Sequence, residues 1–379
     1  MSAMSKDPRI KLGVLFGGRS GEHEVSLASA ASVIAALDPG AYEIYAVGLT
    51  PSGRIARPDE LRRMLPGELW DRVRPLAVLG SAASLLSVRS DAAGETEDAG
   101  APEPDIWFPL LHGPYGEDGT LQGLLEMAGL PYIGCGVLAS AVAMDKDIAK
   151  RLLAQAGLPV TPSLTVTAHE LDTDLEAVRH TAERAWGYPM FSKPANLGSS
   201  VGVHRIGARD EFAAAVRDSA RYDRKILIEK GIDGRELECA ILGTAASVVG
   251  EVVSAGEFYD YESKYVSTES RLEIPASIDP ATSDTIRALA LRAFAALDGS
   301  GLARVDFFLE RDSGTIWINE INTMPGFTPI SMYTKLWAAT GVPFGDLVAE
   351  LIRLGLERFG EKNGRRISPR QVCAGYDPA

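Results

Sequence analysis

No apolar run in the sequence approaches the roughly 20 residues that a membrane-spanning helix needs. The first residues, MSAMSKDPRIKLGVLFGG, lead straight into a strand-like run and lack the apolar core of a signal peptide. Together these two absences predict a cytoplasmic protein without a membrane partner.

Cysteine is rare, and basic residues are outnumbered by acidic ones. The three cysteines, Cys135, Cys239 and Cys373, are far apart and match no zinc spacing, so they predict reduced thiols without a structural role. The 38 Lys and Arg residues against 51 Asp and Glu give a net charge of −13. Because nucleic acids and anionic membranes attract clustered positive charge, this balance argues against both as partners and leaves small ligands open.

The glycine-rich fingerprint of a dinucleotide site is also missing. The segment GGRSG, residues 17–21, follows the first apolar run but does not match GxGxxG. The next apolar run ends in Thr50, where a dinucleotide site needs an acidic residue. A Rossmann dehydrogenase is therefore discounted.

A different glycine-rich segment, KPANLGSSVG, occupies residues 193–202. Its lysine precedes the glycines, which is the reverse of a P-loop, and apolar residues on both sides predict a strand, a loop and a second strand. Small residues and a lysine suit a phosphate held beneath a hairpin lid, but they also suit a mobile surface hairpin. This segment alone leaves both interpretations open.

The length of 379 residues allows two or three domains with a large core. Alternating strand and helix patterns predict an α/β parallel-sheet domain over residues 1–143. The pattern then becomes α+β, with a central domain that contains the lid (144–239) and a strand-rich third domain (240–379). The acidic segment 91–104 predicts an exposed loop, and the tail after Gly360 predicts disorder.

The most informative segment is the predicted hairpin ARVDFFLERDSGTIWINEIN, residues 303–322. Two β-rich runs flank the turn sequence Asp312-Ser313-Gly314. A hairpin centred on Ser313 pairs Arg311 with Thr315. Counting outward, the same register brings two acidic residues opposite each other farther along the strands.

Those acidic residues are Asp306 and Glu320, and Asn322 shares the face of Glu320. Two carboxylates and an amide oxygen without His or Cys suit Mg²⁺. A slip of one residue would turn one carboxylate to the other face, and a solvated hairpin with exposed acids is the simpler alternative. The apolar neighbours of these acids favour the metal site, and magnesium beside a glycine-rich loop suggests ATP.

Five segments together resemble the D-alanine:D-alanine ligase family of the ATP-grasp superfamily. They are EHEVSLAS, KPANLGSSVG, FYDYESKY, RVDFF and INEINTMPGFTPIS, and the likeness runs in the same order from residue 11 to about 357. The resemblance implies an ATP-grasp fold, in which the N-terminal parallel-sheet domain precedes central and C-terminal domains that clasp ATP.

The resemblance implies ATP and two Mg²⁺ ions, with Mn²⁺ as a substitute. Lys146 and Lys193 are then expected at the phosphates, Glu229, Lys230 and Ile232 at the adenine, and Glu236 at the ribose. Asp306, Glu320 and Asn322 match the metal ligands, in agreement with the hairpin argument. The full nucleotide set that the resemblance implies is Lys146, Lys193, Ser199, Ser200, Glu229, Lys230, Ile232, Glu236, Lys264 and Asn319.

The implied reaction joins two D-alanine molecules through an acyl phosphate and supplies the D-alanyl-D-alanine of bacterial peptidoglycan. Glu24 is expected to pair with the first ammonium group and to form a hydrogen-bonded cluster with Ser199 and Tyr265 that closes the lid. The remaining implied roles are positive charge at the phosphoryl group from Lys264, oxyanion stabilisation by Arg304 and Gly326, and substrate contacts from His112, Ser331 and Met332.

Tyr261, Lys264 and Tyr265 are all present, which favours an amine over D-lactate as the nucleophile. The family also implies a homodimer. Two alternatives stay open at this point: another ATP-grasp ligase with a different acid or nucleophile, and a nucleotide-binding protein without catalysis. The second predicts ATP binding without turnover, yet no residue of the implied set is missing from the sequence.

Overall fold

The computed structural model describes residues 9–76, 104–253 and 271–365. The predicted acidic loop before residue 104, the residues Tyr261, Lys264 and Tyr265, and Cys373 lie outside the described residues. Within them, no helix is both long and apolar enough to cross a membrane.

The first sheet is parallel and has four strands in the order β3-β2-β1-β4. From Leu12 to Gly17 the inner strand β1 is apolar and buried on both faces, as expected for a parallel strand covered by helices. The strands are β1 (Ile10–Gly17), β2 (Tyr42–Leu49), β3 (Val73–Pro75) and β4 (Ile106–Leu110), and the helices are α1 (His23–Ala36), α2 (Pro58–Met64), a 3₁₀ turn (Gly67–Arg72) and α3 (Thr120–Met127).

The second sheet is antiparallel, in the order β5-β8-β6-β7. The predicted strand, loop and strand around the glycine-rich segment are confirmed, because β6 pairs with β7 and residues 195–203 connect them. The elements are α4 (Val137–Met144), α5 (Lys146–Gln155), β5 (Ser163–Thr167), α6 (Ala168–Ala185), β6 (Met190–Pro194), β7 (His204–Ile206), α7 (Phe212–Ser219) and β8 (Lys225–Lys230).

The third sheet has the order β11-β10-β9-β12-β13. The boundary predicted between residues 239 and 240 falls inside β9, which pairs with β12 along its whole length, so the chain changes sheets before Gly234. Helix α10 continues beyond Gly360 to Asn363, and the prediction of disorder is wrong for those three residues. The elements are β9 (Gly234–Leu242), β10 (Ala245–Val253), β11 (Arg271–Glu273), α8 (Pro280–Ala296), β12 (Leu302–Glu310), β13 (Ile316–Asn322), α9 (Met332–Thr340) and α10 (Phe344–Asn363).

The β12–β13 hairpin confirms that Asp306 lies opposite Glu320. Nearer the turn the predicted register is wrong by one residue, because Thr315 accepts a backbone hydrogen bond from Glu310 rather than facing Arg311. A bulge at Asn319 absorbs the difference between the two registers. The two carboxylates therefore meet because an extra residue lies between the turn and the site.

The N-terminal domain and the C-terminal helices share one hydrophobic core. Buried side chains of β1 and α1 pack with Phe327, Tyr333 and Trp337 from the last third of the chain. Helix α10 also places the Arg358 guanidinium over the Tyr132 ring, 4.0 Å from its centroid. This shared core fixes the loop after β13 against the N-terminal sheet.

The two described cysteines, Cys135 and Cys239, are buried and unpaired. Burial raises the pKa of each thiol to about 12, so neither forms a thiolate near neutral pH. Both therefore act as small apolar side chains of the core.

Candidate active site

The loop between β6 and β7, residues 195–203, forms the lid of the candidate site. At its base the backbone N–H and the side-chain amide of Asn196 both donate to Asp223, at 2.8 Å each. The Leu197 carbonyl accepts a hydrogen bond from Lys146 Nζ at 2.6 Å. Ser199 and Ser200 have φ values of 51° and 59°, a left-handed conformation uncommon for residues other than glycine. The lid thus has a defined shape whose tip points Ser199 towards the N-terminal domain.

The N-terminal partner of the lid is Glu22, whose carboxylate accepts a hydrogen bond from the Ser199 hydroxyl. This corrects the prediction that Ser199 bonds to Glu24. Glu22 is the residue that immediately precedes α1, whereas Glu24 lies in its first turn and is exposed. Residues two apart on a helix point about 200° away from each other, so only one of these two acids can face the lid.

Two lysines of the predicted nucleotide set extend into the cleft between the second and third sheets. Lys146 Nζ lies 3.3 Å from Glu320 Oε2. Lys193 Nζ donates to Asn319 Oδ1 at 3.2 Å and lies 2.7 Å from Glu229 Oε2. Because Lys193 is on β6 and Asn319 is the bulged residue of β13, the bulge itself makes this contact between sheets. The ammonium groups are therefore positioned beside the predicted metal ligands.

Glu229 is predicted to contact the adenine through either its carboxylate or its backbone carbonyl, and the structure favours the second. Its carboxylate does not face an open adenine pocket, because it is buried between Lys193 and a third lysine, Lys150, whose Nζ is 3.0 Å from Oε1. Burial favours the neutral acid, but attraction by Lys150 and Lys193 outweighs it and lowers the pKa of Glu229. Only the backbone of Glu229 remains to contact a base.

The other predicted nucleotide residues lie around this cleft. Lys230 Nζ is 3.1 Å from Glu310 Oε1 and stands over the Trp317 ring, and Ile232 is half-buried between β8 and β9. Burial of the ammonium group acts to lower the pKa of Lys193. The negative charge of the nearer Glu229, and after it that of Glu236, outweighs burial, so the pKa is raised.

A row of three carboxylates crosses the third sheet beneath the cleft. Asp306 on β12 lies opposite Glu238 on β9 and opposite Glu320 on β13. Arg304 holds Asp306 in a two-point contact at 2.7 Å per bond, and its Nε is also 2.8 Å from Glu238. Asn322 Nδ2 donates to Asp306 Oδ2 at 3.0 Å. The sequence reasoning did not identify Glu238, although its alternation with Glu236 on β9 marks both for one face.

These side chains suit hard divalent cations. Asp306, Glu320 and Asn322 offer two carboxylates and an amide, the oxygen ligands that Mg²⁺ prefers. Across the described stretches no cluster of three His, Cys, Asp or Glu residues forms a ready-made metal site. The carboxylates instead meet Arg304 and Lys146, so a bound cation would take over charge neutralisation that these side chains now provide.

His112 follows β4 and is buried behind the cleft. Its Nδ1 lies 2.9 Å from the Met324 carbonyl, its Nε2 lies 3.2 Å from Ser29 Oγ, and Phe327 N–H donates to the same hydroxyl oxygen at 3.1 Å. Burial lowers the pKa of His112, in keeping with a neutral ring that donates through Nδ1 and accepts through Nε2. His112 thereby fixes both ends of the loop that contains Gly326.

Glu117 is a second site residue that the sequence reasoning missed. One of its oxygens accepts from Gly113 N–H at 2.7 Å and the other from Met324 N–H at 3.2 Å, so it links the N-terminal domain to the loop after β13. Burial of the carboxylate, followed by repulsion from Glu22, raises its pKa to about 8. The available signal was the position of Glu117 within the glycine-rich segment PYGEDGT, residues 114–120, which follows β4.

The predicted acceptor-side residues lie on the loop that leads into α9. Gly326 is close to Ser331, whose Oγ would be 3.0 Å from an added Cβ. Ser331 Oγ accepts from Thr328 N–H at 3.1 Å and is partly accessible. Met332 is buried, and its sulfur packs against Gly250, so the structure places this side chain behind the loop.

One pocket brings together the lid, Lys146 and the carboxylates of Glu117 and Glu320. Its walls come from all three sheets and their connecting segments, and they include Glu117, Lys146, Gly198, Glu320 and Asn322. Lys264 and Tyr265 lie outside the described residues. A parallel-sheet domain followed by two antiparallel sheets that enclose a cleft of lysines and carboxylates defines the ATP-grasp class.

Known proteins with similar sequences and structures share this architecture. Residues 11–135 match the family model described as D-ala D-ala ligase N-terminus, and residues 152–353 match D-ala D-ala ligase C-terminus. The chain belongs to the D-ala D-ala ligase family. It is 48% identical to the D-alanine--D-alanine ligase of Heliobacterium modesticaldum, with 93% of this chain and 96% of the relative covered.

Two solved structures of related enzymes align along nearly the whole chain. The D-alanine-D-alanine ligase from Coxiella burnetii aligns with a TM-score of 0.76 at 33% identity, covering 94% of this chain and 96% of that one. The VanG D-Ala:D-Ser ligase from Enterococcus faecalis aligns with a TM-score of 0.75 at 33% identity, covering 92% and 100%. The fold thus occurs with different second substrates.

Proposed function

We propose that this protein joins two D-alanine molecules into D-alanyl-D-alanine, with release of ADP and phosphate, as a precursor of peptidoglycan. The observation that carries the proposal is a cleft beneath the lid in which Lys146 meets Glu320 and Lys193 meets Asn319, beside the Asp306–Glu320 pair. This cleft occurs in a chain that is 48% identical to a relative named as such a ligase.

In the first step the carboxylate of one D-alanine attacks the γ-phosphorus of ATP, and ADP leaves. The negative charge of the transferring phosphoryl group is balanced by Lys146 and Lys193, and Lys264 is expected to contribute from the part of the chain outside the described residues. Lid residues Ser199 and Ser200 close over the phosphates and exclude water, which would otherwise hydrolyse the acyl phosphate.

Asp306, Glu320 and Asn322 would hold the two Mg²⁺ ions, with Mn²⁺ as a substitute. Such ions neutralise phosphate charge and align the phosphoryl group for transfer. Lys146 Nζ lies 3.3 Å from Glu320 and Arg304 contacts Asp306. A bound cation would neutralise these carboxylates in their place and leave both side chains able to contact the phosphates and the acyl group.

In the second step the amine of the other D-alanine attacks the acyl carbon and phosphate leaves. Arg304 and the backbone N–H of Gly326 stabilise the oxyanion. His112 and Glu117 fix the loop that contains Gly326. Ser331 binds the carboxylate of this second substrate, and Met332 packs beneath the same loop.

Glu22 takes the role that the sequence suggested for Glu24, the counter-ion of the first ammonium group. Its carboxylate already accepts from Ser199, so the substrate and the lid share one acceptor. Tyr265, which the sequence resemblance adds to this cluster, lies outside the described residues. A substrate amine that binds Glu22 would therefore favour the closed lid.

We further propose a cytoplasmic homodimer with no nucleic-acid or membrane partner. The net charge of −13 supports the absence of polyanionic partners. The reaction consumes ATP, which is a cytoplasmic substrate. Sedimentation of the purified protein would test the dimer.

The test of function mixes pure protein with ATP, Mg²⁺ and D-alanine, and measures both phosphate and dipeptide. D-Alanyl-D-alanine in amounts equal to the released phosphate supports the proposal. L-Alanine is the matched control, and phosphate release that ignores the configuration of the amino acid would refute it. D-Serine and D-lactate, each supplied with D-alanine, test the second site, since the D-Ala:D-Ser relative aligns equally well.

A further inference from the structure

Lys150 is a buried lysine that the proposed reaction does not use. It lies on α5, one helical turn after Lys146, and only 5% of its surface is exposed. Its Nζ is 3.0 Å from Glu229 Oε1 and donates to the Thr161 carbonyl at 3.4 Å. A buried ammonium group is unfavourable without compensation, so its presence beside the nucleotide cleft needs a reason.

The reason follows from the charges around Glu229. This carboxylate is 2% exposed and lies between two ammonium groups, with Lys150 on one oxygen and Lys193 on the other at 2.7 Å. One negative and two positive charges leave one positive charge in excess. Lys193 presents that excess to the cleft, where it reaches Asn319 at 3.2 Å.

Without Lys150 the same carboxylate would be neutralised by Lys193 alone. Lys193 would then form a neutral buried pair, and drawing it towards a phosphate would leave Glu229 as an isolated buried anion. The more distant acids Glu320 and Glu236 also attract Lys193 and would add to the deficit of positive charge.

We propose that Lys150 is a positioning residue that neutralises Glu229 and so leaves the ammonium group of Lys193 free to bind the nucleotide phosphates. The inference rests on the proposed use of ATP and adds to it a residue that does not touch the nucleotide. Burial and repulsion by Lys193 lower the pKa of Lys150, whereas attraction by Glu229 acts in the opposite direction. The charge of each residue in the triad therefore affects the other two.

Four proteins test the charge count. The buried triad carries formal charges of 0 in Lys150→Met, +1 in the wild type, +1 in Lys150→Met/Glu229→Gln and +2 in Glu229→Gln. The measurement is the dissociation constant of Mg²⁺ with a non-hydrolysable ATP analogue, by titration calorimetry. Lys150→Met is expected to weaken binding about tenfold, and the double variant is expected to return to within about threefold of the wild type.

Arg151→Met is the matched control, because it removes a cation from the next position of α5 whose side chain is 67% exposed. It should leave the dissociation constant unchanged. Melting temperatures of all variants identify effects that are only structural. If one variant fails to fold, the affinity order of the others, which follows their triad charge, still provides the test.

Two results would overturn the inference. In the first, Lys150→Met melts at a lower temperature but binds the analogue as tightly as the wild type. In the second, the double variant binds the analogue no better than Lys150→Met. The proposed function is judged separately, on dipeptide formation by the wild type. If the wild type makes no dipeptide but the four proteins show the predicted order of affinities, only the proposed function is refuted. Dipeptide synthesis without that order refutes only the role of Lys150.

Discussion

The two walls of the cleft solve the problem of burying charge in different ways. On the wall formed by the second and third sheets, each acid meets a cation: Glu229 meets Lys150 and Lys193, and Asp306 meets Arg304. On the N-terminal wall, Glu117 accepts hydrogen bonds from the backbone N–H groups of Gly113 and Met324, and Glu22 accepts one from the Ser199 hydroxyl. Ion pairs can exchange one partner for a ligand, whereas backbone hydrogen bonds fix a position.

This difference assigns separate tasks to the walls. The ion-paired wall is suited to phosphates and metal ions, because a ligand charge can replace a side-chain charge without leaving an unpaired group. The hydrogen-bonded wall is suited to holding the Gly326 loop and the lid in fixed geometry. Substitutions on the first wall should therefore affect chemistry and nucleotide binding, and those on the second should affect loop position and pH dependence.

The largest effect is expected from Glu320→Gln on the ion-paired wall. It removes a metal-binding charge and the partner of Lys146, and dipeptide turnover should fall by about 10²-fold or more. Far-UV circular dichroism should stay unchanged. Asp312→Asn, in the exposed turn of the same hairpin, is the control, and near-normal turnover of Glu320→Gln would remove the metal assignment.

Arg304→Met tests whether cation exchange takes place on that wall. The variant leaves Asp306 opposite Glu238 without their shared guanidinium, and stability should fall by about 3 kcal/mol. Added Mg²⁺ should raise the melting temperature of the variant more than that of the wild type, because the ion replaces the lost charge. Equal increases would argue that no cation binds at these carboxylates.

On the hydrogen-bonded wall, Glu22→Gln and Glu24→Gln form a matched pair. Glu22 contacts the lid and Glu24 is exposed, so only the first substitution should raise the KM for D-alanine, by about tenfold. Steady-state kinetics of both variants give the answer. A larger effect from Glu24→Gln would restore the original prediction from the sequence.

The last prediction concerns the pH dependence of stability. The pKa of Glu117 is raised from 4.5 to about 8, so between these values the folded protein binds more protons than the unfolded chain. The stabilisation is complete below pH 4.5 and is lost as pH rises towards 8, with a slope of at most about 1.4 kcal/mol per pH unit. Glu117→Gln should remove this contribution. Free energies of unfolding that change in parallel with pH for both proteins, from pH 5 to 8, would contradict this expectation.

The hairpin shows how far the sequence could predict the site. The pairing of Asp306 with Glu320 was predicted by counting from the turn, yet the count was wrong near the turn and was corrected by the bulge at Asn319. No local pattern marks that bulge. It is favoured by tertiary contacts, among them the bond from Lys193 on another sheet.

The choice between Glu22 and Glu24 failed for a related reason. Both acids stand at the start of α1, and only the residue at which the helix begins decides which one faces the lid. Helix boundaries are the least certain part of a prediction from sequence. Lys150 and Glu117 were missed because their importance comes from residues that are distant in sequence, Glu229 and Met324.

The central claim is that the cleft activates the carboxylate of D-alanine by phosphorylation. It is tested most directly with D-alanine labelled with ¹⁸O in both carboxylate oxygens, by mass spectrometry of the phosphate released during dipeptide synthesis. An acyl phosphate predicts one ¹⁸O atom in each phosphate, since the oxygen that attacked phosphorus leaves with it. Dipeptide formation with unlabelled phosphate would contradict this account.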